Sequence, residues 1–89
     1  MPEIARFFGV VVRMYAEPGS HHHLAHIHVS YQGHQAVVAI DSGELLGGSL
    51  PKRPLRLVGA WIEIHRDELK EDWTRLQSGL PPFKIDPLR

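Results

Sequence analysis

Five histidines lie in one short stretch of the chain, close enough together to share a metal ion. They are His21, His22, His23, His26 and His28, and the whole chain contains seven histidines and no cysteine. Imidazole is the commonest protein ligand for metals, and it is also the side chain that gains or loses a proton near neutral pH. This stretch is therefore the first place to look for chemistry.

Three of these histidines have the spacing of a metal-binding set. His26 and His28 are two residues apart, so on a β-strand their side chains project from the same face. His22, in the preceding loop, supplies a third imidazole, and three imidazoles plus a water form an open catalytic zinc site. We expect a divalent metal cofactor, zinc first, although histidine also suits copper, nickel and iron. Asp41 is expected nearby as a carboxylate that orients the His26 ring.

Other interpretations of the same residues remain open. A polar strand face, whose imidazoles contact solvent and each other, needs no ligand. A structural metal site would need a fourth protein ligand such as His21, His23 or Asp41. In a metal-free ribonuclease, two of the histidines would act as general acid and base.

A second group of charged residues points to an anion. Lys52, Arg53 and Arg56 cluster where a helix is expected to begin, and cations at that end oppose the helix dipole. A phosphate of a nucleotide or of RNA would favour them there. In the ribonuclease interpretation, the same three side chains would stabilise the transition state.

The strands must position the histidines. Residues 4–15 are rich in β-branched and aromatic residues and predict one buried strand. Residues 26–31 alternate, which places the histidines on one face and the apolar residues on the core face. Gln32 and Gly33 predict a two-residue turn, followed by a returning strand over 35–40. A further turn at 41–43 leads into 44–46.

A two-residue turn fixes the register of this hairpin. Each residue of the first strand then faces one of the second: Tyr31 faces His34, Val29 faces Ala36, His28 faces Val37, Ile27 faces Val38, and His26 faces Ala39. The turn thus separates His34 from His26 and His28.

Apolar residues at three- and four-residue steps predict an amphipathic C-terminal helix that ends near Gln77, with Ser78 and Gly79 closing it. Residues 65–67 would divide this helix in an alternative interpretation, and His65 is expected to be a hydrogen-bonded core or interface residue. An extended tail is expected to pack Phe83 and Ile85 against the body. The predicted fold class is α+β: a small antiparallel β-sheet of three to four strands, packed on one face by the long helix, in a single domain over 1–89.

Composition narrows the range of functions. Ten basic residues balance ten acidic ones, so no overall field attracts nucleic acid or anionic lipid. The absence of cysteine excludes disulfides and thiolate chemistry. The first residues, MPEIARFFG, do not have a basic stretch followed by a long apolar one, so we expect a cytoplasmic location. No segment approaches the roughly 20 apolar residues that span a bilayer, so we expect no membrane contact. An exposed sheet edge makes a homodimer plausible.

Three segments carry a resemblance to a known family: PEIARFFGVVVRMY, HHLAHIHVSYQGHQAVVAIDSGELLGGSLPKR, and a helix with WIEIHRDELKEDW. Together they resemble the domain of unknown function family DUF4160 over nearly the whole chain. Members typically show a loop H-x-P-P-H-F-H-V, whose histidines fall here on His22, His26 and His28. Leu24 and Ala25 replace its prolines, which makes this loop less rigid, and residues 19–21 resemble an insertion.

The resemblance implies a small cytosolic bacterial protein, often encoded beside another small domain as in toxin and antitoxin pairs. It implies no established activity. We therefore expect a histidine-centred site that binds a divalent metal and supports hydrolysis. The alternative is a regulatory or interaction module that binds a protein encoded nearby or a nucleic acid.

Overall fold

The computed structural model describes residues 3–16 and 24–89 of the chain. Within them, one antiparallel five-stranded sheet, in the order β1-β2-β3-β4-β5, precedes a helix. The elements are β1 (Glu3–Phe7), β2 (Val10–Arg13), β3 (His26–Tyr31), β4 (His34–Ala39), β5 (Leu45–Gly48) and α1 (Lys52–Gln77). The α+β class is confirmed, with five strands where three to four were expected.

The extra strand arises because residues 4–15 form a hairpin and not the single strand predicted. Phe8 and Gly9 have φ values of +48° and +82°, which are the left-handed conformations of a type I′ turn. Phe7 consequently pairs with Val10. A Cβ on Gly9 would lie 3.3 Å from the ring of Tyr31, so the turn also packs closely against β3.

The β3–β4 hairpin forms as predicted. Gln32 and Gly33 both have positive φ, and the register pairs His26 with Ala39 and Tyr31 with His34. All five predicted pairs are confirmed. His26 and His28 therefore lie toward one end of the hairpin and His34 at the other.

The passage from sheet to helix depends on Gly48. This residue ends β5 with φ +72°, and a Cβ there would overlap the carbonyl oxygen of Gln35 on β4. The Ser49 amide donates to that same oxygen at 3.0 Å. The glycines at 47 and 48 thus extend β5, where a boundary was expected.

Helix α1 is continuous but kinked. His65 has non-helical angles of φ −111° and ψ 22°. The prediction of one long helix and the alternative of a division at residues 65–67 are therefore each correct in part. At the C-terminus, the Gly79 amide donates to Leu76 and the Leu80 amide donates to Arg75. These bonds are the Schellman pattern, which confirms that Ser78 and Gly79 close the helix.

The helix covers one face of the sheet and forms the core with it. Trp61 is fully buried, and its ring centroid lies 5.3 Å from that of Phe7. Burying a large apolar side chain contributes about 1.5–3 kcal/mol. The opposite sheet face is only half-buried at Val11, Arg13, His28, Ser30 and Val37.

The C-terminal tail matches the prediction in part. Ile85 is buried, and its amide donates to the Ile4 carbonyl on the outer edge of β1 at 2.8 Å. The prediction for Phe83 was wrong, because its side chain is 56% exposed. Its amide donates inward to Asp72, so the ring points outward, where the Arg75 guanidinium lies 4.1 Å from its centroid.

Candidate functional site

His26 is held in one tautomer by the backbone. Its Nδ1 lies 2.8 Å from the carbonyl oxygen of Leu24. Because a carbonyl only accepts, Nδ1 carries the hydrogen, and the lone pair of the neutral ring lies on Nε2. This is the arrangement in which histidines commonly bind metals, with one nitrogen fixed by a hydrogen bond and the other directed at the ion.

His28 stacks edge-on between two other rings. Its centroid lies 4.6 Å from that of Tyr15 and 5.3 Å from that of His26. The side chain is half-buried on the open sheet face. The strand alternation therefore brings the two imidazoles together, as the spacing predicted.

The two histidines differ in how deeply they are buried, which the sequence did not predict. His26 has 0% exposure, and Trp73 packs against it at 5.0 Å between centroids. The second half of α1 passes beside the ends of the strands, where Arg66 donates to the Ile40 carbonyl at 3.2 Å. The expected exposed histidine face thus exists at His28 but not at His26. We call Tyr15, His26, His28 and Trp73 the ring cluster.

The ring separation fits a shared ion. With ion-to-nitrogen distances of about 2.0–2.1 Å and tetrahedral angles, two imidazole centroids on one zinc lie roughly 5.3 Å apart. His26 and His28 have that separation, 5.3 Å, with their planes inclined by 63°. This separation is also within the range of an edge-to-face contact between two aromatic rings.

The third predicted ligand, His22, lies outside the described residues, as do His21 and His23. Over 3–16 and 24–89, no group of three or more His, Cys, Asp or Glu side chains is placed to hold a metal ion. Any metal site at the ring cluster therefore requires a ligand from outside these ranges or from solvent.

The remaining predicted residues have other contacts. Asp41 is exposed, and its Oδ1 lies 2.8 Å from Lys70 Nζ, so the structure shows it in an ion pair with the helix. His65 is half-buried and donates from Nδ1 to Glu68 at 2.6 Å, as expected of a hydrogen-bonded residue. His34 is exposed at the far end of the hairpin.

The basic residues lie at the opposite end of the sheet from the ring cluster. Lys52, Arg53 and Arg56 are exposed on the first turns of α1, and Arg53 lines a cavity together with Tyr31, the last residue of β3. His26 is the first residue of that strand, about 16 Å away at 3.3 Å per residue. His26 and these cations are therefore too far apart to contact one phosphate.

Asp72 is a buried carboxyl that the sequence analysis missed. It is 1% exposed; Oδ1 accepts the Phe83 amide at 2.8 Å, and Oδ2 has no hydrogen-bond partner among the described residues. Burial raises the pKa of Asp72, and the Phe83 hydrogen bond and the Arg75 charge partly oppose this. The position of Asp72 on the helix can be read from the sequence, but its burial results from the C-terminal tail, which contacts it through the Phe83 amide.

Comparison with known proteins gives a family and no closer relative. A family model described as Domain of unknown function (DUF4160) matches residues 9–74, which is well over half of the chain. No curated protein and no solved structure matches the chain. In the part of the chain that the structure describes, no helix has the length and apolar character to cross a membrane.

Proposed function

We propose, for a chain that belongs to the DUF4160 family, that His22, His26 and His28 together bind a divalent metal ion, zinc first. The observation that carries the proposal is the 5.3 Å separation of the His26 and His28 rings. That separation is about what tetrahedral zinc requires of two imidazoles.

Two further features of the ring cluster support a metal. The Leu24 carbonyl fixes the His26 tautomer in which the lone pair of the neutral ring, the group that binds a metal, lies on Nε2. Trp73 and Tyr15 pack against the two imidazoles and limit their rotation. Since ordering a side chain costs conformational entropy, rings that are already held bind an ion at lower cost.

His26, His28 and Asp41 would have different roles in this site. His26, fully buried, would anchor the ion, while half-buried His28 would lie on its solvent side. A divalent ion with three imidazole ligands supplies Lewis-acid chemistry at its open position, which suits ester or phosphodiester hydrolysis. Asp41, which contacts Lys70, would orient a ligand only after that ion pair opens.

Metal content is the direct test. Untagged protein, purified without chelators, is analysed by inductively coupled plasma mass spectrometry. We expect close to one equivalent of a divalent metal in the wild type and its loss in H22A and H28N. His34 is the matched control, because it is an exposed histidine on the same hairpin, and H34N should retain the metal. Metal at background level in the folded wild type would refute the proposal.

An interaction module is the second candidate function, and an open sheet edge favours it. Within the described residues, β5 pairs only with β4, whereas the other outer strand, β1, receives a hydrogen bond from the tail at Ile4. An exposed edge can accept an extended segment of a protein partner. Coexpression with the product of the neighbouring gene tests this: a stable complex lost when Leu46 is replaced by proline would support it. Light scattering would reveal a homodimer instead.

A further inference from the structure

We propose a second site at the other end of the sheet, where the cavity between Phe8, Tyr31 and Arg53 binds a nucleotide unit. The base would stack on the aromatic side chains, and the phosphate would bind the guanidinium. The cavity has a volume of about 290 Å³ and is completed by Pro54 and Leu57. This volume is near the lower end of the range for small-molecule sites, which is about 300–1,000 Å³.

Phe8 is the first reason to expect a ligand here. Its φ of +48° lies in the left-handed region, which side chains other than glycine and asparagine rarely adopt. The ring is also 61% exposed, so burial in this chain repays little of the backbone strain. Strain of this kind at an exposed position points to a binding role.

Tyr31 supplies a second aromatic wall. The Phe8–Gly9 turn packs against it, since a Cβ on Gly9 would lie 3.3 Å from the tyrosine ring. Both rings line the same cavity. Aromatic side chains that border a groove bind nucleic-acid bases by stacking, with little dependence on base identity.

The charges around the cavity suit a phosphate. Arg53 lines it directly, and Lys52 and Arg56 are exposed on the same first turns of α1. The first turn of the helix contains no acidic residue to neutralise them. A nucleotide combines an aromatic base, which suits the two rings, with an anionic phosphate, which suits Arg53. A purely apolar ligand would remove water from Arg53 without supplying a counter-charge.

The site is independent of the proposed metal site. The ring cluster lies at the start of β3, and the cavity lies at its end. Either site can therefore fail without affecting the other.

Fluorescence anisotropy with a short labelled single-stranded RNA tests the proposal, with adenosine monophosphate and inorganic phosphate as competitors. We expect F8N to weaken RNA binding by about fivefold or more, the loss expected for one stacked base. We expect R53A to weaken it by about tenfold or more, the loss expected for a hydrogen bond between charged groups. Asparagine suits the left-handed turn, so F8N should keep the fold. The matched controls are I64N, an exposed apolar residue of α1, and K84A, an exposed cation of the tail, and both should bind as the wild type does.

Each outcome decides the proposal. Competition by adenosine monophosphate as strong as that by RNA would identify a free nucleotide as the ligand, and stronger binding of RNA would identify a strand. Both results support a nucleotide unit. Equal competition by inorganic phosphate, unchanged binding by folded F8N, or no binding by the wild type would overturn it.

Discussion

Replacing His28 by asparagine is the most selective perturbation of the proposed metal site. His26 is fully buried against Trp73, so its removal would damage the fold whether or not a metal binds. His28 is half-buried, and it lies 5.3 Å from His26 between ring centroids. The metal-dependent part of stability then reports on the site alone, because any loss of the Tyr15 contact affects the metal-free and metal-loaded protein equally.

The expected size follows from mass action. A metal at a hundred times its dissociation constant stabilises the folded state by about 2.7 kcal/mol. If losing one imidazole raises that constant tenfold, the stabilisation falls by about 1.4 kcal/mol. For a domain of this size, that loss corresponds to roughly 6–11 °C in melting temperature.

Differential scanning fluorimetry with and without zinc measures this difference. We expect zinc to raise the melting temperature of the wild type and of H34N by the same amount, and that of H28N by several degrees less. His34 is exposed at the far end of the hairpin, so H34N controls for the loss of a surface imidazole. Equal zinc-induced rises in wild type and H28N would refute the assignment of His28 as a ligand.

Three further substitutions test the fold. Burial raises the pKa of Asp72, so its proton stabilises the native state, and this contribution is complete below about pH 4 and is lost as the pH rises through the folded pKa. D72N should remove this loss of stability at higher pH. The free energy of unfolding, measured with urea at several pH values, should therefore change less with pH in D72N than in the wild type. The same pH dependence in both proteins would contradict the prediction. G48A should cost at least about 2 kcal/mol, because the new Cβ would overlap the Gln35 carbonyl at positive φ, while G47A, with open space around it, should cost far less in the same urea assay. F8N should relieve about 1 kcal/mol of turn strain and lose less than that in burial, because the ring is 61% exposed, so calorimetry should place its stability between that of the wild type and about 1 kcal/mol above it.

The elements with regular patterns were predictable from the sequence. Period-two alternation and the Gln32–Gly33 turn specified β3, β4 and their register, because a slip of one residue would have exposed Ile27 and Val29. The Phe8–Gly9 turn was missed because phenylalanine is a poor residue for a left-handed position, and the apolar run continues through it.

The site was predictable only where it depends on one strand. The spacing of His26 and His28 placed both imidazoles together, since neighbouring positions on a strand face are fixed by backbone geometry. The contact of His26 with Trp73, by contrast, joins residues far apart along the chain and forms because α1 runs past the end of the strand. Tertiary contacts of this kind leave no local pattern in the sequence.

The two ends of β3 should act independently. Residues farther apart than about 7–10 Å with no shared partner contribute additively. His28 and Tyr31, which lines the cavity, are three residues apart on β3, about 10 Å at 3.3 Å per residue, and their side chains project from opposite faces of the sheet. In the double variant H28N/R53A, the loss of zinc stabilisation and the loss of RNA binding should therefore equal those of the single variants. Strong coupling between them, or RNA cleavage that requires both residues, would mean that one phosphate contacts both ends. That result would contradict the separation of the two sites and restore the ribonuclease interpretation.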